Sequence, residues 1–421
     1  MKNIIKSVSV LAALTSLAFA GDDQSKDLKK VIEDQGIYVE TAKPGIVLSG
    51  YVDAGYSYNF DGNHAVGSRF GTDGGVNGGT GSNFSLNAFK LALEKPLSTK
   101  NELSAGFRAD LIYGDDVAAL NGSTATANSN NILVEQAFVD LNAPIGNGIV
   151  FKVGKFVTPL GYEVIERPAN PNITYGNLFQ NTIPLYHTGV LASYKVNDIV
   201  DVKGGVVNGS NNDYQSTFAS TSRTQGVGLL GTVNVTAPGG NANIQQGVFI
   251  SLNGAGNNAT LEATQSNDTA WVYDIWGTWS PKFNSNLTLG FNGDLGDSTI
   301  NTAGVTSETT YAGAAVYAKY QFTKLFSLAT RTDWLHEDNT GKFGSAALNA
   351  ATENDLYSFT ATGSFDVFEN TLLRAEYRMD YGSEGVTAPV LGGSGDSIAA
   401  NPGFAASKLA ELVDLEIVYS F

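Results

Sequence analysis

The residues of this chain best placed to act on other molecules are charges set at every second position. Arg374, Glu376, Arg378 and Asp380 form one such run, Arg331 and Asp333 another, Arg108 and Asp110 a third, Asp414 and Glu416 a fourth. Residues two apart share one face of an extended strand, so each run projects from a single face. A second group, Glu163, Glu166 and Arg167, lies in segment 157–186, which carries four of the chain's 11 prolines, at 159, 168, 171 and 184. Carboxylates facing guanidiniums across a narrow, low-dielectric gap set up a field that orients polar solutes. The same groups paired across neighbouring strands would instead hold a wall together. The spacing leaves both readings open.

Bond-making chemistry has little support. The three histidines, His64, His187 and His336, have no metal-ligand spacing to one another, and there is no cysteine. Thiolate nucleophiles, disulfides and cysteine metal sites are therefore excluded. The glycine-rich run 71–81 lacks the following Lys-Ser/Thr of a phosphate-binding loop, and no Asp-x-Asp-x-Asp-Gly calcium loop occurs. No cofactor is implied. A formal charge of −16 argues against nucleic-acid partners, which require clustered Lys and Arg.

The elements that must position these charges follow from the period of the apolar residues. After Pro44 that period is two. Leu103, Ala105, Phe107, Ala109, Leu111 and Tyr113 alternate with Ser104, Gly106, Arg108 and Asp110. Tyr357, Phe359, Ala361, Phe365 and Val367 alternate with Ser358, Thr360, Thr362, Ser364 and Asp366. Leu373, Ala375, Tyr377, Met379 and Tyr381 alternate with the charged run 374–380. Strands with oil on one side and water on the other read this way. Weaker stretches, among them 84–95, 243–252, 270–280 and 325–335, bring the total to about 16 strands near the 9–11 residues of a tilted membrane strand.

Connections alternate short and long along the chain, with long links at 61–83, 115–131, 157–186, 209–223, 253–269, 297–308, 336–355 and 382–409. An all-β, transmembrane antiparallel up-and-down β-barrel requires that alternation. Charges avoid the apolar parity except at Glu135, Lys155 and Glu411, which fall toward expected outer strand ends. Trp271, Trp279, Tyr381 and Phe421 lie near strand ends, as interfacial aromatic girdles do.

Upstream of the strands, residues 1–20 combine Lys2 and Lys6, an apolar run 8–19 and the small-x-small site Ala18-Phe19-Ala20, the pattern of a secretory signal peptide. Residues 21–45 read as a polar periplasmic lead-in, leaving 46–421 for the barrel.

Two stretches carry a family resemblance. The chain ends Leu415-Glu416-Ile417-Val418-Tyr419-Ser420-Phe421, with Tyr419 and the terminal Phe421 on one face. It resembles the C-terminal signal of bacterial outer-membrane proteins, which implies the barrel-assembly machinery as a partner. Val153-Gly154-Lys155-Phe156-Val157-Thr158-Pro159-Leu160-Gly161-Tyr162-Glu163, followed by Pro184 and His187-Thr188-Gly189-Val190, is similar to the runs of the OmpL-like β-barrel porin family. That resemblance implies an outer-membrane porin, a passive channel for ions and small hydrophilic solutes, with membrane lipid around it. By analogy with 16-stranded porins, the third long link, 157–186, folds into the lumen. Glu163, Glu166 and Arg167 would then line a constriction opposite Arg108, Arg331, Arg374 and Arg378, with Asp110, Asp333 and Glu376 on the same wall. Barrels of this size often trimerise, so a homotrimer is a further expectation. A substrate-specific channel, or an adhesin or receptor working through its outer loops, are the rival readings.

Overall fold

The computed structural model describes residues 45–60, 82–117, 132–208, 227–252, 269–302, 305–338, 354–382 and 409–421. The expected leader 1–20 and all but the last residue of the 21–45 lead-in lie outside these. Sixteen strands are present: β1 (Val47–Asn59), β2 (Ser82–Lys95), β3 (Ser104–Tyr113), β4 (Ile132–Ala143), β5 (Ile149–Val157), β6 (Tyr186–Lys195), β7 (Val200–Val207) and β8 (Val227–Thr236). The second half holds β9 (Ala242–Leu252), β10 (Thr269–Trp279), β11 (Leu287–Thr302), β12 (Val305–Gln321), β13 (Phe326–Asp338), β14 (Asn354–Phe368), β15 (Thr371–Gly382) and β16 (Leu409–Ser420).

Each strand pairs antiparallel with its neighbours in sequence, and β16 returns to β1 to close the ring. Closure removes every sheet edge, and hydrocarbon supplies no partner for an edge. At the seam, Gly50 and Phe421 exchange both backbone hydrogen bonds at 2.9 Å. A Cβ on Gly50 would sit 2.1 Å from the Lys90 carbonyl oxygen and 2.8 Å from the Phe421 ring, so this approach requires glycine.

The alternation sorts side chains by face. In β16, Leu415, Ile417 and Tyr419 are about half exposed, whereas Asp414, Glu416 and Val418 are buried. In β14, Tyr357, Phe359 and Phe365 face out and Ser358, Thr360 and Thr362 are buried. The outer surface is apolar and the inner one polar, the reverse of a soluble protein. Trp271 and Trp279 lie on the outer face of β10, eight residues apart, or roughly 27 Å along a strand rising about 3.4 Å per residue. At a strand tilt of about 40° that spacing projects to about 21 Å, so the two rings fall inside an apolar band about 25 Å tall.

Two expectations are corrected. The link expected at 297–308 is mostly sheet: β11 and β12 stay paired from Leu287↔Tyr320 to Thr302↔Val305. Ser, Thr, Asn and Asp dominate this stretch, and without an apolar face its strands read as loop. Glu135, assigned by simple parity to the outer face, is buried. The register of β3 against β4 steps from Asp110↔Gln136 to Leu111↔Val134, leaving Glu135 as the extra residue of a bulge that turns it inward. Lys155 is also buried, its ammonium 4.0 Å over the Tyr186 ring.

Ile275 stands midway between the two tryptophans on the outer face of β10. Ile275→Arg should destabilise the folded barrel by about 2–4 kcal/mol, the cost of a basic side chain facing mid-bilayer lipid. Urea unfolding in lipid vesicles measures it, and an unchanged midpoint would place Ile275 away from the hydrocarbon.

Candidate functional site in the barrel lumen

Segment 157–186 leaves β5 and returns at β6 with little secondary structure of its own. Its four prolines preclude a continuous ladder. It forms a 3-10 turn at Arg167–Ala169 and one short helix, α1 (Asn177–Asn181). Most of its residues are nevertheless buried, so its backbone groups need partners. Inward side chains of the wall supply them.

The backbone N–H of Gly161 donates to Asp274 of β10 at 3.0 Å, and that of Tyr162 donates to Asn292 of β11 at 2.8 Å. Ile173 and Thr174 N–H both donate to Glu376 of β15, at 2.6 and 3.0 Å. The carbonyls are held by guanidiniums. Arg331 donates to the Thr174 and Tyr175 oxygens, Arg378 to Tyr175, and Arg374 to those of Arg167, Asn170 and Asn172. Gln245 of β9 donates to the Pro159 oxygen at 2.5 Å. Tethers thus run from β9 to β15 along the inner wall.

Ion pairs add to these. Glu163 meets Arg331 at 2.8 Å, accepts the Gly176 N–H at 2.7 Å, and lies beside Asp333, which accepts from Asn177 at 2.7 Å. Burial pushes the Glu163 carboxyl up, with the Arg331 guanidinium opposing. Arg167 makes a two-pronged pair with Asp116 at 2.7 and 2.8 Å, its guanidinium 4.7 Å over the Tyr175 ring. Glu166 reaches the other side of the barrel, 2.5 Å from the Lys90 ammonium, which also meets Glu135 at 2.6 Å and Asp110 at 3.1 Å. Burial raises the Glu166 carboxyl, but Lys90 more than offsets it and holds it below the usual range.

Apolar packing completes the docking. Leu160, Ile165, Tyr175, Phe179, Ile183 and Leu185 join inward residues of the wall, among them Phe249, Val272, Leu335 and Leu356, in one buried cluster. Tyr162 stacks on Tyr317 at 4.0 Å and Tyr175 on Phe179 at 4.5 Å.

The residues singled out in sequence are therefore brought together unevenly. Glu163 and Arg331 pair as loop against wall. Arg374 pairs with Glu416, and Arg378 with Asp380, while both also take segment carbonyls. Glu166 meets a lysine instead of an arginine. Arg167, Asp110, Arg331, Asp333, Arg374, Glu376 and Arg378 are all buried, whereas the Arg108 side chain keeps 24% exposure. Tyr419 faces outward and Phe421 lies at the seam. Lys90, Asp116, Asp274, Asn292 and Asp294, the last accepting from the Thr182 hydroxyl, are segment partners that the sequence reading does not single out. Inward parity is their one signal: it is clear for Asn292 and Asp294 in β11, blurred for Asp274 by the inward Val272 of β10, and lacking for Asp116, which lies beyond the end of β3.

A closed sixteen-stranded wall, apolar outside and polar within, with one long connection folded into its lumen, defines an outer-membrane β-barrel of the porin class. The family model described as "Putative beta-barrel porin-2, OmpL-like" matches residues 45–408, and the chain belongs to that family. It is a protein of the bacterial outer membrane. No match is found among curated proteins. Among solved structures it is similar to an anion-selective porin from Comamonas acidovorans, at 11% identity and a TM-score of 0.57 over 89% of this chain and 99% of that one. The outer membrane channel DcaP of Acinetobacter baumannii is 12% identical, with a TM-score of 0.55 over 89% and 97% of the two chains. The trimer form of OmpT, an outer membrane protein of Vibrio cholerae, is 13% identical, with a TM-score of 0.54 over 89% and 99%. At these identities the likeness establishes the fold.

Arg331→Ala should leave Glu163 buried without its counter-charge and lower stability by about 3–5 kcal/mol. Glu163→Gln, which keeps the shape and removes the charge, should cost less. Urea unfolding midpoints compare the two; equal midpoints would show that the pair does not anchor the segment.

Proposed function

We propose that the chain is a passive diffusion channel for ions and small hydrophilic solutes, with segment 157–186 as its constriction. The observation that carries this reading is the docking of that segment against the inner wall from β9 to β15, with Glu166 crossing the lumen to Lys90 of β2. It fills part of the cross-section, and solvated inward charges persist on β2 to β5, where Arg108, Glu94, Asp140 and Lys152 keep side-chain exposures of 22–39%. A barrel of sixteen strands is wide enough to leave an aqueous passage beside such a segment. The reading assigns the chain no catalytic role. Glu163, Glu166 and Arg167 shape the neck by fixing the segment's path against Lys90, Asp116 and Arg331.

A substrate-specific channel is the second reading, favoured by the aromatic and aliphatic side chains that the segment brings into the lumen. Leu415, Ile417, Tyr419 and Phe421 fit a C-terminal signal for the barrel-assembly machinery, residues 1–20 fit an export leader, and a homotrimer fits the barrel's size.

Reconstitution of the purified chain into planar bilayers tests the proposal. Stepwise conductance is expected, and a Glu163→Ala/Glu166→Ala variant should change its size or ion preference. Absence of conductance steps would reject the channel. Unchanged steps in the variant would remove both carboxylates from the neck. Saturable transport, or block by one solute, would favour the substrate-specific reading.

A further inference from the structure

The inner wall carries two populations of charge, and they differ in whether anything passing through could use them. Arg331, Arg374, Arg378 and Lys90 are no more than 3% exposed, and each is consumed by close carboxylates or by backbone carbonyls of segment 157–186. Offering such a group to a solute would first require breaking those bonds in a desolvated setting. A second population sits on β2, β3, β4 and β5. Arg108 lies 3.4 Å from Glu94 with side-chain exposures of 24% and 39%, and Lys152 lies 3.4 Å from Asp140 with exposures of 26% and 22%.

The register lines these four groups up. Glu94 is directly opposite Arg108, and Asp140 is directly opposite Lys152. Arg108 in turn faces Phe138, and the Lys152 ammonium rests 3.1 Å over that ring. The order across neighbouring strands is negative, positive, negative, positive. Parity puts all four on the inner face, toward the short connections at 96–103 and 144–148. These long, part-solvated cross-strand pairs hold their members weakly, so a passing ion can exchange for Glu94 against Arg108, or for either member of the Lys152–Asp140 pair, at small cost, while Asp110 keeps Arg108 in place.

We infer that Glu94, Arg108, Asp140 and Lys152 are the residues that discriminate between permeating anions and cations. This rests on the channel reading above and moves the selective element from the arginines of β13 and β15 to the opposite wall. Arg108 is tied to Asp110 at 2.9 Å, and Asp110 in turn to Lys90 and through it to Glu166, so the row adjoins the anchored segment. The wall supplies the charges and the segment confines ions to their side.

Reversal potentials across a potassium chloride gradient test the assignment. The double variant Arg108→Gln/Lys152→Gln removes two unit charges and should shift the permeability ratio toward potassium by more than about fivefold, the factor that a single unit charge about 4 Å away exerts in water. Glu94→Gln/Asp140→Asn should shift it toward chloride by a similar factor. Lys195→Gln, which removes one charge at the exposed end of β6, serves as the control and should leave the ratio unchanged. Because the chain has no cysteine, Lys152→Cys provides a single thiol that can be modified after the channel has folded. A cationic methanethiosulfonate reagent should move the ratio toward chloride and an anionic one toward potassium, which separates selectivity from folding. A conducting channel whose ratio is unmoved by both double variants and both reagents would overturn the assignment. Absence of conductance from the unaltered chain would instead remove the channel reading, and this assignment with it.

Discussion

Every backbone N–H and C=O placed among lipid tails must find its partner within the protein, and the rest of this structure follows from that requirement. Sixteen antiparallel strands meet it by closing on themselves, with the last residue bonded to Gly50 at both backbone groups. Closure then dictates the side-chain pattern. One parity faces hydrocarbon and must be apolar; the other faces an enclosed space and inherits the polar residues, including the charged runs of β13, β15 and β16.

The same requirement recurs one level in. Segment 157–186 is rich in proline, makes only one turn of 3-10 helix and one five-residue α-helix, and is largely buried. Apart from these turns, few of its carbonyls and amides pair with each other, so wall guanidiniums and carboxylates stand in for a ladder. Arg331, Arg374 and Arg378 suit this task because a guanidinium offers five donors in a fixed fork, enough to bind a carboxylate and backbone oxygens together. A charge engaged in this way belongs to the architecture of the lumen. On the proposed channel reading, the charges left part solvated on β2 to β5 are the ones a permeating ion meets.

Much of the wall could be read from the order of residues. Strands with strict alternation, such as β1, β3, β14 and β15, declare their inner and outer faces because each is a local pattern of period two. The reading failed where the signal was not local. The outer ends of β11 and β12 lack an apolar face and resembled a connection, although the sheet continues through them. Glu135 was placed on the wrong face because a bulge changes parity by one, and sequence alone does not mark the bulge. In the lumen, the motif around Gly161 and Glu163 identified the segment, and the Glu163–Arg331 pairing joins two residues singled out from sequence. Which carboxylate meets which cation was otherwise hidden: Lys90 with Glu166 and Asp116 with Arg167 are separated by 76 and 51 positions, and only the path of the segment brings them together. Whether a wall charge is sealed or open depends on that same path.

The central claim is that segment 157–186 is a fixed part of the inner wall, held through its own backbone. Amide hydrogen–deuterium exchange on the folded protein in micelles tests this most directly. The amides of Gly161, Tyr162, Ile173, Thr174 and Gly176, each donated to a buried side chain, should exchange as slowly as the amides of β10 and β15. Exchange of these five within seconds, while the strands stay protected, would contradict the account.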